Sequence, residues 1–348
     1  MVKRLLVIMP FPQKSIKENA YMREYLARYR SMGYEITREK MYFWERKLRY
    51  SFKWLLLVRY LLRPMQAYMV HQHTIPSSGP VLVVFLLIAR LLRRTTIVVS
   101  HETVETYAKH LPAVLRWIAY LYEWMVVTLS GVYVVHTRLH FDELASFAPA
   151  DRMRIIPLPI PASGITPIPH EKTTWGFYGM LCYKKGVDLL IDAYQGLPAG
   201  SLPPLRIMGA PAPDEERFMI ECKAMVRPEY SPLITFTGFV AESGKETLFA
   251  DIALMIFPYR YISQSAALSE ACRYGIPYLV SDVPYFREYC TTFGCGRMFT
   301  SASVQSLREE LAHLAKHPLL VTGEQWRRMY DSLSIDTCAE RFRKLIEA

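Results

Sequence analysis

The chain has 348 residues, of which 51% are hydrophobic, and its formal net charge is +10. This length suits two domains, each able to bury a core, and the composition excludes a disordered chain. The six cysteines form no CxxC pair, so we expect reduced thiols in a cytosolic protein rather than a disulfide framework. Residues 1–170 carry +12 and residues 171–348 carry −2, which predicts an anionic partner surface for the first half only.

The first half alternates apolar strands with helices. The run LLVIM is predicted to be a buried first strand, because it is too short, and too soon followed by Pro10, for a signal peptide. The apolar run at 81–89 is too short to span a membrane and is predicted to be a core helix. The alternation predicts a parallel, doubly wound sheet with ligands at the carboxyl ends of its strands. The predicted helices are 19–32, 80–92 and 112–129, and the later strands are 67–73, 95–102 and 132–137.

Residues 38–63, called here the basic–aromatic segment, contain eight Lys and Arg against two Glu, with seven aromatic residues interleaved. Such a stretch suits a membrane interface, where rings lie at headgroup depth and basic side chains meet anionic lipid. The alternatives are a solvated helix face over an ordinary core and a nucleic-acid surface, since aromatic rings also stack on bases. No recognised nucleic-acid motif accompanies the segment. The sequence therefore favours an anionic membrane surface, and no nucleic acid, as the partner.

The composition changes at residues 155–169, where five prolines occur in IIPLPIPASGITPIP. Proline can sustain neither a helix interior nor a central strand, so this stretch is interpreted as a semi-rigid connector. We place the domain boundary there and predict domains at 1–165 and 166–348. The second domain again alternates strands and helices, which predicts a second parallel sheet.

The most informative stretch is residues 263–288, SQSAALSEACRYGIPYLVSDVPYFRE. It predicts a helix that starts among small residues, a Gly-Ile-Pro turn and a strand ending near Ser281. The N-terminus of a helix has free N–H groups and a positive dipole end, which suit a diphosphate. One helical turn further on, Glu270 can reach a sugar hydroxyl. The stretch can thus hold a nucleotide-sugar by its phosphates and ribose; the alternative is a plain helix-turn-strand unit.

Several runs together resemble retaining GT-B glycosyltransferases of the large family-four type. YGMLCYKKGVDLLIDAY resembles the start of their second domain, TFTGFV the base-binding strand and turn, and SEACRYGIPYLVSDVPYFRE the nucleotide-sugar signature. PFPQKSIKENAYMREYLARYRSMGYEI and VVSHET resemble the first strand-loop-helix and the histidine strand. The resemblance implies an α/β GT-B fold, with two Rossmann-like doubly wound domains facing a cleft. The first domain would bind the acceptor and the second the nucleotide-sugar, with the last helix packing back on the first.

The resemblance also implies roles for individual residues. Lys185 stands where the family's lysine neutralises the donor diphosphate, and Glu270 where its second glutamate holds the ribose hydroxyls. His101 stands where the family's histidine contacts the donor sugar; a satisfied histidine at a strand end is the alternative. Gly238 and Phe239 fall in the base-binding turn.

Two positions depart from the family pattern. Met180 replaces the arginine that follows the family's glycine, and Ile262 replaces the first glutamate, which contacts the transferred sugar. Arg260 is predicted to supply the missing cation, because arginine binds phosphate bidentately and this one lies just past a strand end; a surface ion pair is the alternative. Polar contacts to phosphates or sugar are predicted from three neighbours, Ser263, Gln264 and Ser265.

Other predictions concern the acceptor and metal ions. Lys14 and Asn19 lie in the first strand-to-helix loop, where the resembling family approaches its acceptor. His71 and His73, with His101 and Glu102, could be metal ligands, but no set at fixed spacing completes them. The resembling family needs no metal, so we expect neither a metal nor another cofactor.

The sequence therefore predicts a glycosyltransferase that moves a sugar from a nucleoside-diphosphate sugar to an acceptor hydroxyl with retention. Lys185 and Arg260 would stabilise the departing diphosphate and His101 would orient the sugar. The expected acceptor is a lipid-linked or other glycan at the cytoplasmic face of the membrane. A catalytically altered relative that acts as a scaffold in a glycosylation complex is the first alternative. A nucleotide-sugar epimerase or hydrolase of the same architecture is the second.

Overall fold

The computed structural model describes residues 3–9, 20–40, 58–63, 65–72, 75–108, 111–161 and 173–348. The chain forms two compact units, described separately below. Unit 1 comprises Met1–Ala162 and Ser332–Ala348, and unit 2 comprises Ser163–Asp331. Each contains a six-stranded sheet in the order typical of a doubly wound domain. The predicted α/β class with two Rossmann-like sheets is confirmed.

The sheet of unit 1 is entirely parallel, in the order β2-β1-β3-β4-β5-β6. Its strands are β1 (Lys3–Met9), β2 (Tyr34–Lys40), β3 (Ala67–Gln72), β4 (Thr96–Ser100), β5 (Val132–Val135) and β6 (Met153–Ile155). Strand β2 was not predicted, because its sequence YEITREK is mostly polar and was assigned in part to the basic–aromatic segment. Residues 41–57 of that segment lie outside the described residues.

The helices of unit 1 cover both faces of its sheet, since neighbouring strand residues point to opposite faces. They are α1 (Ala20–Ser31), α2 (Ile75–Leu91), α3 (Val104–Ala108), α4 (Ala113–Leu129), α5 (Arg138–Ala145) and α13 (Ile335–Glu347). Helices α2 and α4 pack on the face that contains Leu6 and Ile8. Helices α1 and α13 pack on the face that contains Leu5 and Val7. The last helix thus completes the core of unit 1.

The sheet of unit 2 is also parallel, in the order β12-β11-β10-β7-β8-β9. Its strands are β7 (Thr174–Tyr178), β8 (Leu205–Met208), β9 (Ile234–Gly238), β10 (Ile252–Phe257), β11 (Tyr278–Ser281) and β12 (Gly296–Phe299). Its helices are α6 (Val187–Gln195), α7 (Glu216–Ala224), α8 (Lys245–Phe249), α9 (Ala266–Arg273), α10 (Pro284–Phe293), α11 (Val304–Lys316) and α12 (Gly323–Leu333). The strand order reverses between β7 and β10, which is where doubly wound domains form a ligand crevice.

Helix α2 differs from its prediction at both the start and the surface. It begins at Ile75 rather than at residue 80, with non-helical backbone at Gly79. The predicted core helix is buried through Leu82, Phe85 and Leu86, but Val84 and Leu87 in the same run are exposed. Within the described residues, no helix is both long and apolar enough to cross a membrane.

Candidate functional site

The candidate site lies at the carboxyl edge of the unit 2 sheet, beside the β7–β10 switch point. Strand β7 is followed by a 3-10 turn, Tyr183–Lys185, which leads into α6. The backbone N–H of Arg260, in the loop after β10, donates to the carbonyl of Lys184 at 2.9 Å. The two loops are thereby joined directly above the crevice.

Gly186 permits this close approach. Its φ of +67° lies in the left-handed region, and an added Cβ would lie 1.9 Å from the Pro258 carbonyl oxygen. No residue with a side chain fits there without moving one of the two loops. Gly186 therefore fixes where the preceding residue, Lys185, enters the crevice.

Lys185 is buried, with 8% of the residue exposed. Its Nζ lies 3.8 Å from the centroid of the buried Tyr259 ring, a cation–π contact. Among the described residues, no carboxylate lies within ion-pair distance of this ammonium. Burial is the main cause that lowers the pKa of Lys185 from 10.5 to about 7, and Lys184 lowers it further. A buried cation without a counter-ion is arranged to receive an anion.

Arg260 occupies the ion pair that was its alternative interpretation. Its two outer nitrogens donate to the Asp188 carboxylate at 2.9 and 2.7 Å. The guanidinium also lies 3.9 Å from the Tyr183 ring centroid and donates to the Tyr183 carbonyl. These contacts hold the Tyr183–Lys185 turn against α6. A donor-binding role for Arg260 stays a prediction.

Helix α9 begins at the same edge of the sheet. Ser265 is its N-cap, and its Oγ accepts from the N–H of Leu268 at 3.2 Å. Gln264 Oε1 is buried and has no hydrogen-bond partner among the described residues, and Ser263 is half-buried beside it. An added Cβ on Gly179, in the loop after β7, would lie 3.8 Å from Ala267 Cβ. The first turn of α9 therefore faces the β7 loop.

Glu270, in the second turn of α9, belongs to a buried charge network that the sequence did not reveal. Its Oε1 lies 3.1 Å from Lys245 Nζ, and Lys245 also pairs with Glu242 at 2.8 Å. Its Oε2 accepts no hydrogen bond from the described residues, and its cation there is Arg273 at 3.8 Å. Burial is the largest influence on Glu270 and raises the pKa of its carboxyl. One carboxylate oxygen therefore remains available to a hydroxyl donor.

Gly238 and Phe239 lie at the end of β9 on the same edge. Gly238 has a φ of +71°, and Phe239 is 72% exposed. The Gly209 N–H donates to the Gly238 carbonyl at 2.9 Å. An added Cβ on Gly209 would lie 1.8 Å from the Gly179 carbonyl oxygen, so the loops after β7, β8 and β9 run in close contact.

His101 belongs to unit 1, where three buried histidines follow neighbouring strands. His101 Nε2 lies 3.0 Å from His71 Nδ1, and His101 Nδ1 lies 3.0 Å from His136 Nε2. His136 Nδ1 donates to the Ile156 carbonyl at 2.8 Å, because a carbonyl can only accept. In the neutral state, His101 and His71 must then also carry their protons on Nδ1. The chain of bonds fixes the His101 ring.

Two sets of predicted residues stand apart from this geometry. Lys14 and Asn19, the predicted acceptor contacts, lie outside the described residues, as does His73. Among the described residues, no three His, Cys, Asp or Glu side chains are grouped to hold a metal ion.

Comparison with known proteins decides the family of unit 2. Residues 162–330 match the family model described as glycosyl transferases group 1. These residues are a group 1 glycosyltransferase domain. Both the predicted family and the predicted enzyme class are thereby confirmed. Among curated protein sequences, none matches the chain significantly.

Solved structures show that the GT-B fold of this glycosyltransferase extends over the whole chain. HepE from Anabaena, in complex with UDP and glucose, is 12% identical, with a TM-score of 0.71 and 98% of each chain covered. Sucrose-phosphate synthase from Thermosynechococcus elongatus is 11% identical, with a TM-score of 0.73 and coverage of 99% of this chain and 98% of that one. The lipopolysaccharide outer core galactosyltransferase WaaB is 13% identical, with a TM-score of 0.71 and 99% of each covered.

Sequence reasoning missed three partners of the predicted site residues in this glycosyltransferase. They are Asp188 beside Arg260, Lys245 beside Glu270, and His136 beside His101. Asp188 lies inside the KGVD motif and His136 ends a predicted strand, so a strand-end rule would have found both. Lys245 opens the short helix α8, and nothing in its local sequence marks it.

Proposed function

We propose that this glycosyltransferase binds a nucleoside-diphosphate sugar at the carboxyl edge of unit 2 and transfers the sugar to an acceptor hydroxyl with retention. The observation that carries the proposal is the buried Lys185 ammonium, which lies at the switch point without a carboxylate partner in the described part of the chain. A donor diphosphate supplies the anion that this arrangement lacks. Solved HepE complexes with UDP and UDP-glucose favour a uridine donor.

In the proposed reaction the bond between the sugar C1 and the diphosphate oxygen breaks, and a bond from the acceptor oxygen to C1 forms. The acceptor proton goes to the released diphosphate. Negative charge therefore develops on the leaving group, where Lys185 and the N–H groups of the first turn of α9 stabilise it without reorganisation. His101 would orient the sugar, and Arg260 would act by holding the Tyr183–Lys185 turn.

The rest of the donor is assigned from the remaining groups at this edge. Glu270 Oε2 would accept from a ribose hydroxyl, because a buried carboxylate oxygen without a hydrogen bond is costly until a donor reaches it. Gly238 and Phe239 would contact the base, with the exposed Phe239 ring as an apolar surface. Ser263 and Gln264 would add polar contacts, and no metal or cofactor is proposed.

The acceptor is proposed to be a lipid-linked or surface glycan, reached from the cytoplasmic face of the membrane. WaaB, a structural neighbour, is named for the lipopolysaccharide outer core, and the basic–aromatic segment suits an anionic lipid surface. The enzyme would therefore act as a peripheral protein on the inner face of the cytoplasmic membrane.

A second candidate function is supported by one observation. Met180, which replaces the family's arginine, is 57% exposed in the loop after β7, and Ile262 replaces the family's glutamate. A donor-binding scaffold without turnover would fit these two changes. It predicts donor binding without release of nucleoside diphosphate from any acceptor reaction.

A thermal-shift panel of nucleotide-sugars and free nucleoside diphosphates tests the donor site. A ligand that binds only the folded protein must raise its melting temperature. We expect a shift with one base, reduced in Glu270→Gln because the amide loses the charge that binds the ribose hydroxyls. A wild-type protein that no nucleotide stabilises would contradict the proposal. Nucleoside-diphosphate release in the presence of membrane glycolipids then separates the enzyme from the scaffold.

Charge reversal in the basic–aromatic segment tests the membrane location. Four substitutions to Glu, at Arg46, Lys47, Arg49 and Lys53, are expected to weaken binding to phosphatidylglycerol-containing liposomes by about tenfold or more, at roughly 1 kcal/mol for each basic residue near the surface. Co-sedimentation measures the bound fraction. Binding equal to that of the wild type would assign the segment another purpose.

A further inference from the structure

Helices α2 and α4 of unit 1 present an exposed apolar surface that neither the donor site nor the basic–aromatic segment explains. On α2, large side chains are exposed at a spacing of three and four residues, namely Val84, Leu87 and Leu91. On α4 the same helical spacing exposes Trp117, Leu121 and Trp124. These six side chains are called here the apolar face. Helices of a soluble domain normally direct such residues inward and polar residues outward, so the face calls for a partner.

The two stripes lie side by side, because α2 and α4 pack on the same face of the sheet. Arg90, near the end of α2, donates to the Thr128 carbonyl near the end of α4. The exposure is large, at 75% for Leu91 and 66% for Trp117. Both tryptophans therefore offer broad rings, of the kind found at membrane interfaces.

The charges around the apolar face identify the chemistry of its partner. Helix α2 contains no Asp or Glu, and the single acid of α4, Glu123, is buried and accepts from Gln72. The carboxyl end of α2 instead meets residues 58–63, through a hydrogen bond from Arg94 Nε to the Leu61 carbonyl at 2.9 Å. Five arginines gather at this end, namely Arg59, Arg63, Arg90, Arg93 and Arg94. Glu39, which accepts from the Tyr60 hydroxyl, offsets one of them.

We propose that the apolar face docks unit 1 onto a lipid bilayer, with its tryptophans at headgroup depth and the arginine cluster on anionic lipid phosphates. Leu62, exposed beside Arg63, extends the apolar surface towards the basic–aromatic segment. A two-fold contact between two copies through the same face is disfavoured, because it would bring two arginine clusters together with few acids to pair them. The inference rests on the proposed membrane location, to which it adds a specific contact surface.

The test is flotation with phosphatidylcholine vesicles that contain phosphatidylglycerol. Trp117→Ser combined with Leu121→Ser should lower the partition coefficient by about tenfold or more, because two large apolar side chains leave the interface. The matched control, Ile220→Ser combined with Leu320→Ser, removes two exposed apolar side chains from unit 2 and should bind as the wild type does. Unchanged flotation of the α4 variant would overturn the proposal.

Two further measurements keep the result specific. Vesicles of brominated lipid should quench the wild-type tryptophan fluorescence, and Trp117→Phe with Trp124→Phe should lose part of that quenching while still floating; unchanged quenching would contradict the proposal. Sedimentation velocity without lipid should show no dimer that the α4 variant disrupts; such a dimer would make the face a self-association interface instead. The α4 variant should keep the wild-type thermal shift with nucleoside diphosphate, and a wild type without that shift would refute the donor proposal alone.

Discussion

Lys185→Met is expected to abolish nucleoside-diphosphate binding and, at the same time, to stabilise the ligand-free protein. The folded protein lowers the pKa of this lysine from 10.5 to about 7, so below pH 7 it keeps a charge that burial disfavours. Each unit of pKa depression corresponds to about 1.4 kcal/mol. Since methionine also loses the cation–π contact with Tyr259, the net gain in free energy of unfolding is expected to be roughly 2–4 kcal/mol near pH 7.

The pH dependence gives this prediction a sign. Because the folded pKa is lower than the unfolded one, the destabilisation is fully present below about pH 7 and disappears as the pH rises towards 10.5. The advantage of the variant in urea denaturation should therefore shrink above neutral pH. The matched control is Lys184→Met, one residue earlier and half-exposed, which should keep both the binding and the stability of the wild type. A destabilised Lys185→Met protein would contradict this account of the site.

Gly186→Ala is expected to destabilise unit 2 by about 3 kcal/mol or more and to weaken nucleoside-diphosphate binding at least tenfold. Left-handed backbone costs an alanine about 1–2 kcal/mol. The Cβ would also lie 1.9 Å from the Pro258 carbonyl oxygen, so the loops after β7 and β10 must separate. Lys185 would then leave its place above Tyr259.

The matched control for this prediction is Gly200→Ala. Gly200 has a similar φ of +80°, but nothing lies within 4 Å of an added Cβ. Its loss of stability should stay near the backbone cost of about 1–2 kcal/mol, with unchanged binding. Denaturation midpoints and titration of nucleoside diphosphate measure both effects. Equal losses in the two variants would show that the contact between the loops does not position the site.

The fold was predictable because buried parallel strands are short apolar runs bounded by turns. LLVIM is an example, and it forms β1. Strand β2 was missed because half of an edge strand's surface is polar, so YEITREK carries no apolar run. The run at 81–89 shows the opposite failure. It is apolar all round, so its sequence gave no sign that Val84 and Leu87 face outwards.

The candidate site was predictable only where its residues share a local motif. Lys185 and Glu270 each lie in such a motif, and the structure brings their loops to one edge of the sheet. Their charge partners depend on tertiary contacts between distant segments. Arg260 is separated from Asp188 by 72 residues, and no single-sequence pattern couples the two. Spacing alone therefore could not distinguish a cation that is free to bind a ligand from one that is paired.

Isothermal titration with UDP at about pH 8, in two buffers of different ionisation enthalpy, tests the central claim most directly. At that pH most of Lys185 is neutral in the free protein, because its pKa is about 7. A bound diphosphate raises that pKa, so we predict specific binding with uptake of about one proton, both lost in Lys185→Met. UDP that binds Lys185→Met as tightly as it binds the wild type, with the same proton uptake, would contradict the assignment of the diphosphate to Lys185.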